Sequence, residues 1–169
     1  MITLRLLRTV LSLLSLALLC SCSYWYQDYG LESKSDLLKS SSVPVLIDAL
    51  DDEVSKTRLS AAIYLNKHAR GAEPATSKIL ERLKVEPSIQ TKTWLLKDIV
   101  AIGKLTPEVT DCLVALLKDR SRDIRFESAI ALYQLGYKGD ELVPALRALT
   151  FDGPGTRARN IAARALSRM

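Results

Sequence analysis

Residues 119–136 read DRSRDIRFESAIALYQLG, and their spacing decides the fold. Asp119 stands six residues ahead of Arg125; Ala129 and Leu132 follow that base at offsets of four and seven, and Leu135-Gly136 closes the stretch. Offsets of four and seven share one face of an α-helix, and glycine suits the position just past a helix end. The same frame recurs on either side as Arg58, Ala62, Leu65; as Lys92, Leu96, Ile99; and as Arg159, Ala163, Leu166. The bases lie 34, 33 and 34 residues apart, and each is preceded by an acid at six or seven residues: Asp52, Glu86, Asp119 and Asp152. Four copies at one period signal stacked repeats.

Each copy contains two helical patterns. First helices are expected at about 44–50, 75–83, 107–118 and 140–149, from apolar pairs such as Leu46/Leu50, Ile79/Leu83 and Leu142/Leu146. Second helices are expected at about 55–67, 88–102, 122–135 and 156–168. Turn-like stretches divide each pair, Asp119-Arg120-Ser121 among them, and Gly71, Pro74, Gly103, Pro107, Gly136 and Gly139 stand between units. Strand-like alternation is absent, so the expected class is all-α. A single helix pair cannot close a core, and neighbouring pairs must stack to do so. The acid and base rows, Asp52/Arg58, Glu86/Lys92, Asp119/Arg125 and Asp152/Arg159, are expected to form a structural ladder from repeat to repeat that fixes register more than it adds stability.

The frame P-x-L…D-x-x-x-x-x-R-x-x-x-A-x-x-L-x-x-L-G resembles the HEAT repeat, in the short form found in phycobilin lyases. Asp119…Arg125…Ala129…Leu132…Leu135-Gly136 and Asp52…Arg58…Ala62…Leu65 match best. The resemblance spans roughly 43–169 and implies a right-handed α-solenoid of about four helix pairs, with repeats near 43–74, 75–106, 107–139 and 140–169. Lys92 and Leu96 depart from the pattern in the second repeat, and the fourth has one extra residue in its Gly-Pro-Gly turn. In this family the second helices line the concave face. Trp94, two residues past its register base, is then either a contact residue of the kind that dominates protein recognition or a packing residue. Tyr64, Lys97, Asp98 and Arg122 are its candidate companions.

Residues 1–22 carry a different message. Arg5 and Arg8 precede an apolar stretch from Val10 to Leu19 in the layout of a secretory signal peptide. Leu19-Cys20-Ser21-Cys22 resembles the lipobox of bacterial lipoproteins, with Leu three before and Ser one before Cys22, the expected lipidation site. Cleavage would remove residues 1–21. Ser23 rather than Asp after that cysteine favours, in the enterobacterial sorting rule, the outer membrane facing the periplasm. Residues 22–42, with six Ser between Ser23 and Ser42, read as the lipidated cysteine and a solvated tether. Tyr24, Trp25, Tyr26 and Tyr29 read either as a membrane-surface contact or as residues packed on the repeats.

The full chain has 169 residues and a formal charge of +5, with 24 Lys+Arg against 19 Asp+Glu. Without residues 1–21 the balance is 22 against 19, a surplus of +3 that does not mark a nucleic-acid binder. One His and three Cys leave no zinc module, and no metal or cofactor is expected. His68 reads as a core or helix-end residue and lacks the adjacent Glu of the HEAT-type deoxyhypusine hydroxylases; Cys112 reads as a small buried hydrophobe. No nucleophile–base set or phosphate loop appears, so an enzyme is not expected. The leading expectation is a non-catalytic HEAT-repeat lipoprotein that binds an envelope protein and is held at the membrane by its lipid anchor. The alternatives are a lyase-like tetrapyrrole-handling or ligand-binding protein and a structural lipoprotein that self-associates through its C-terminal repeat.

Overall fold

The computed structural model describes residues 42–68 and 71–169. The expected signal peptide, the expected lipidation site Cys22 and the expected tether up to residue 41 lie outside the described residues. Among those described, eight α-helices and no strand are present: α1 Val43–Ala49, α2 Ser55–Lys67, α3 Thr76–Val85, α4 Ile89–Ile102, α5 Pro107–Leu116, α6 Arg122–Gln134, α7 Leu142–Asp152 and α8 Thr156–Leu166. A 3₁₀ turn, Glu73–Ala75, precedes α3. Each odd-numbered helix packs on the even-numbered helix after it, while α2, α4 and α6 stack successively and α8 leans on α6. This is a solenoid-like array of helix pairs, with its stacking carried by the second helices.

Local chemistry sets the helix ends. Ser88 Oγ accepts from the Thr91 amide at 3.3 Å and Thr106 Oγ1 from that of Val109 at 3.3 Å, so two helices begin on side-chain caps. Pro107 occupies the first position of α5, where its missing N–H costs nothing. Gly103 and Gly136 adopt φ of 75° and 79°, the left-handed conformation that lets the chain leave α4 and α6. α7 differs from expectation: it starts at Leu142 rather than near 140 and runs to Asp152 rather than 149. Nothing in Thr150-Phe151-Asp152 breaks a helix, and the chain turns only at Gly153-Pro154-Gly155. The fourth acid therefore sits inside a helix, whereas Asp52, Glu86 and Asp119 sit in turns or just past a helix end.

The core follows the repeat register. Ala62, Leu65, Leu96, Ile99, Ala129 and Leu132, at offsets four and seven, are all at most 1 % exposed. Leu46, Leu50, Ile79, Leu83 and Leu113 meet them from the first helices and turns. Each such Leu or Ile contributes about 1.5–3 kcal/mol by leaving water. At the same offsets in α8, Ala163 is exposed and Leu166 half-buried. The face covered by a following unit in the first three repeats is thus open in the fourth, among the described residues.

Candidate functional site

The acid and base rows meet between units. Arg58 Nε and Nη2 donate to Glu86 Oε2 and Oε1 at 2.8 and 3.1 Å, Lys92 Nζ donates to Asp119 at 3.1 Å, and Arg125 Nη2 donates to Asp152 at 3.1 Å. Each base reaches the acid of the unit that follows. Arg58 and Arg125 also tie down their own turns, donating Nη1 to the carbonyls of Asp52 and Glu53 and of Asp119 and Arg120. The acids finish the turns: Asp52, Glu86 and Asp119 accept from the amides of Val54, Ser88 and Ser121. In the fourth unit Arg159 makes only a 3.3 Å contact to Thr156.

Burial of these rungs falls along the array. The Arg58 and Glu86 side chains are 7 % and 0 % exposed, those of Lys92 and Asp119 16 % and 13 %, and those of Arg125 and Asp152 27 % and 50 %. Burial by itself would raise Glu86, but Arg58, Arg82 and the Ser88 amide outweigh it and hold the carboxyl at about 2. These groups are committed to one another. They hold units in register.

That face carries the remaining candidates. Trp94 is half-buried on α4, with Lys97 Nζ 4.6 Å from its ring centroid; a cation over an indole face is attracted by the ring quadrupole. Tyr64 on α2 has a parallel arrangement with Lys67 at 4.5 Å. Two of the proposed companions stand elsewhere. Arg122 pairs with Asp152 at 3.1 Å and belongs to the last rung. Asp98 is 1 % exposed and makes no surface. It adjoins Lys97 in sequence but lies about 100° around the helix from it, at the offset where α6 and α8 carry the buried Ala131 and Ala165. Neither Asp98 oxygen has a hydrogen-bond partner of sound geometry. Burial pushes its carboxyl up to about 8, and the nearby Asn66 amide of α2 offsets only part of that. Asp98 is therefore a neutral acid inside the array at neutral pH.

Lys97 links Trp94 to two recesses that the sequence did not reveal. One, of about 240 Å³, lies between α4 and α6 and is lined by Asn66, Leu96, Lys97, Glu127, Ala131 and Gln134 among others. The second, of about 530 Å³, lies between α6 and α8, with Phe126, Ile130 and Ile161 as its apolar lining and Lys97, Asp123, Glu127 and Arg157 around it. Trp94, Glu127 and Ile161 share one register position, two past the base, so the repeat brings three chemically different side chains to corresponding places on successive second helices. Burial raises the Glu127 carboxyl, Lys97 works to lower it, and Asp123 adds to the rise. Ala158, Ala162 and Ala165 of α8 are buried against the array but bring little volume.

The first-helix side offers another hollow, about 570 Å³, between α3 and α5, lined by Leu80, Leu83, Cys112 and Leu116 with Lys84 and Lys118 beside them. Cys112 is 9 % exposed, and burial pushes its thiol up against the smaller effects of Lys84 and Lys92; a protonated thiol is a poor nucleophile. His68 is exposed just past the end of α2. Among the described residues no group of three or more His, Cys, Asp or Glu is placed to hold a metal ion, and no helix is long and apolar enough to cross a membrane.

No curated protein matches the chain. A family model for HEAT repeats matches residues 76–167, more than half of the sequence. That span takes in the second, third and fourth helix pairs, where the register, the rungs and the stacked second helices have just been described, and the chain belongs to the HEAT-repeat family.

Proposed function

We propose that this chain is a non-catalytic, lipid-anchored adaptor of the bacterial cell envelope, attached through Cys22 and recruiting an envelope protein on its second-helix face. HEAT repeats commonly mediate protein–protein interaction, and repeat arrays present extended surfaces for it. The observation that carries the reading is the pairing of half-buried Trp94 with exposed Lys97, which itself lines two recesses on the helices that stack the array. Aromatic and cationic side chains grouped at the edge of a pocket are the usual anchors of an interface. The Leu19-to-Cys22 motif supports the anchor, and Ser23 supports outer-membrane sorting. Confinement to one membrane raises the effective concentration of the domain for partners there.

In-cell photo-crosslinking from position 94 tests the adaptor. A discrete envelope protein is expected, and it should disappear when the probe moves to an exposed first-helix position such as 81. Loss of labelled palmitate in Cys22→Ala is expected; retention would refute the anchor. A second reading, self-association through the C-terminal repeat, is favoured by the exposed Ala163 and the half-buried Leu166, and by Phe151 at 80 % exposure. Light scattering that shows a concentration-dependent mass would support it, and a strict monomer would remove it.

A further inference from the structure

We infer that the recess between α6 and α8 receives an acidic amphipathic segment of the partner protein, with apolar side chains seated between Ile130 and Ile161 and carboxylates drawn to Arg157 and Arg164. This rests on the adaptor reading and deepens it by naming the chemistry the partner presents. On the α8 side the recess, about 530 Å³, is bordered by the small Ala158, so that Phe126, Ile130 and Ile161 line a hollow rather than a filled junction. A hollow of that size admits two or three apolar side chains from a single segment.

The charge on its α8 side is one-sided. Residues 153–169 carry Arg157, Arg159, Arg164 and Arg168 and no acid, and all four are exposed. Arg157, Ile161 and Arg164 fall at i, i+4 and i+7 and so form one stripe, cation–apolar–cation, on α8. Among the described residues no carboxylate pairs with Arg157, Arg164 or Arg168. On the α6 side Glu127 has Lys97 as its opposing charge, and the exposed Asp123 carboxylate repels a second acid there and turns the acids of an incoming segment toward α8. An incoming segment therefore meets unpaired arginine on α8, and complementary charge sets both its orientation and its encounter rate. A flat bilayer can reach these arginines only from outside the hollow and leaves the apolar lining unused, which favours a protein segment over anionic lipid.

The test uses the full chain and two fluorescein-labelled helical peptides of equal length, one patterned with Glu and Leu, the other with Lys and Leu. Phosphatidylglycerol vesicles are the third probe. The Glu/Leu peptide is expected to bind, with affinity falling as salt rises, and the Lys/Leu peptide to bind at least about tenfold more weakly. Arg157→Glu with Arg164→Glu should weaken the Glu/Leu peptide by about tenfold or more, while Lys118→Glu beside the first-helix hollow leaves it unchanged. Circular dichroism melts confirm that both variants are folded, and Ile161→Ala provides a second, charge-neutral loss of binding. Equal binding of both peptides, no binding of either, or vesicle binding that the double variant alone abolishes would each overturn the inference. If the inference fails while crosslinks from position 94 persist in the double variant, the adaptor reading stands with a different partner chemistry. If those crosslinks are absent from the unaltered protein, the adaptor reading itself falls.

Discussion

The junction of the first two units and that of the last two are built on one register and behave differently. Between α2 and α4 the rung is a buried bidentate pair, Arg58 with Glu86, reinforced by Arg82 at 2.8 Å. The core around it is filled by Leu65, Leu95 and Leu96, each at most 1 % exposed. Between α6 and α8 the rung is Arg125 with Asp152, half open to water, and Ala158 borders an open recess. A repeated motif thus fixes geometry without fixing energy. The same pair of charges is a structural lock where surrounding side chains exclude water and a weak tie where they do not. The array has its most buried rung at its first junction and the larger of the two described second-helix recesses at its last.

The sharpest way to break this comparison is to remove one partner of the buried rung. Arg58→Ala leaves the Glu86 carboxylate, 0 % exposed, with Arg82 and one backbone amide as its remaining partners. It also frees two turn carbonyls. A loss of about 3–5 kcal/mol is expected, the range for breaking a buried pair, measured by urea denaturation. Because repeat arrays are coupled through nearest neighbours, amide exchange should accelerate first in α1 and α2, well before α5 to α8. A uniform acceleration would show that the first junction has no special place in the array.

Asp98, near the same junction, acts with the opposite sign. Its carboxyl is raised to about 8 in the folded chain against an ordinary value of 3.8. Between those two values the unfolded chain has released a proton that the folded chain retains, so this group lowers stability progressively as pH rises from about 4 to about 8. Glu86 runs the other way: held at about 2 against 4.5, it contributes stability above its unfolded value that is lost as pH falls through that window. Asp98→Asn should therefore raise the melting temperature most at pH 8, by the equivalent of about 2–4 kcal/mol, with the gain fading toward pH 4. A gain independent of pH would mean that burial is not what perturbs Asp98.

The second-helix face yields a smaller effect on stability. Trp94 is half-buried, and its cation–π contact with Lys97 contributes about 0.5–1 kcal/mol. Lys97→Met should cost no more than that in thermal stability, yet it should reduce the crosslinking yield from position 94. A melting shift as large as that of Arg58→Ala would place Trp94 and Lys97 in the core.

How much of this was legible beforehand depends on which interaction set each feature. The helix pairs were readable because offsets of four and seven, with glycine and proline between units, are local. Ser55–Lys67 falls at its expected bounds, and the other second helices end within two residues of theirs. The expected end of α7 at 149 falls short of Asp152 because the acid of the register was read without the helix-compatible Thr150-Phe151 ahead of it. Asp98 was misread because its chain neighbour Lys97 is exposed, while Asp98 itself, about 100° further round α4, turns inward. The recesses were not legible at all. They arise from volume missing at a junction, and missing volume is a property of two helices together, whereas each alanine in α8 reads singly as an ordinary small residue.

The last rung gives the smallest effect and the finest test. Arg125 donates to Asp152 with half of that acid's side chain in water, and to two carbonyls of its own turn at 2.9 and 3.2 Å. Solvent screening leaves the ion pair little, so what Arg125→Ala removes is chiefly the tie on the turn between α5 and α6, about 1 kcal/mol. Arg120→Ala, on an exposed side chain in that same turn, should stay within about 0.5 kcal/mol. Asp152→Asn separates the two parts of the Arg125 effect, since it removes the ion pair and leaves the carbonyl bonds intact. If Asp152→Asn costs nearly as much as Arg125→Ala, the last rung is a lock like the first, and its exposure does not weaken it. If it costs almost nothing, the register base acts at this end of the array as a clamp on its own turn, and only burial makes it a clamp between units.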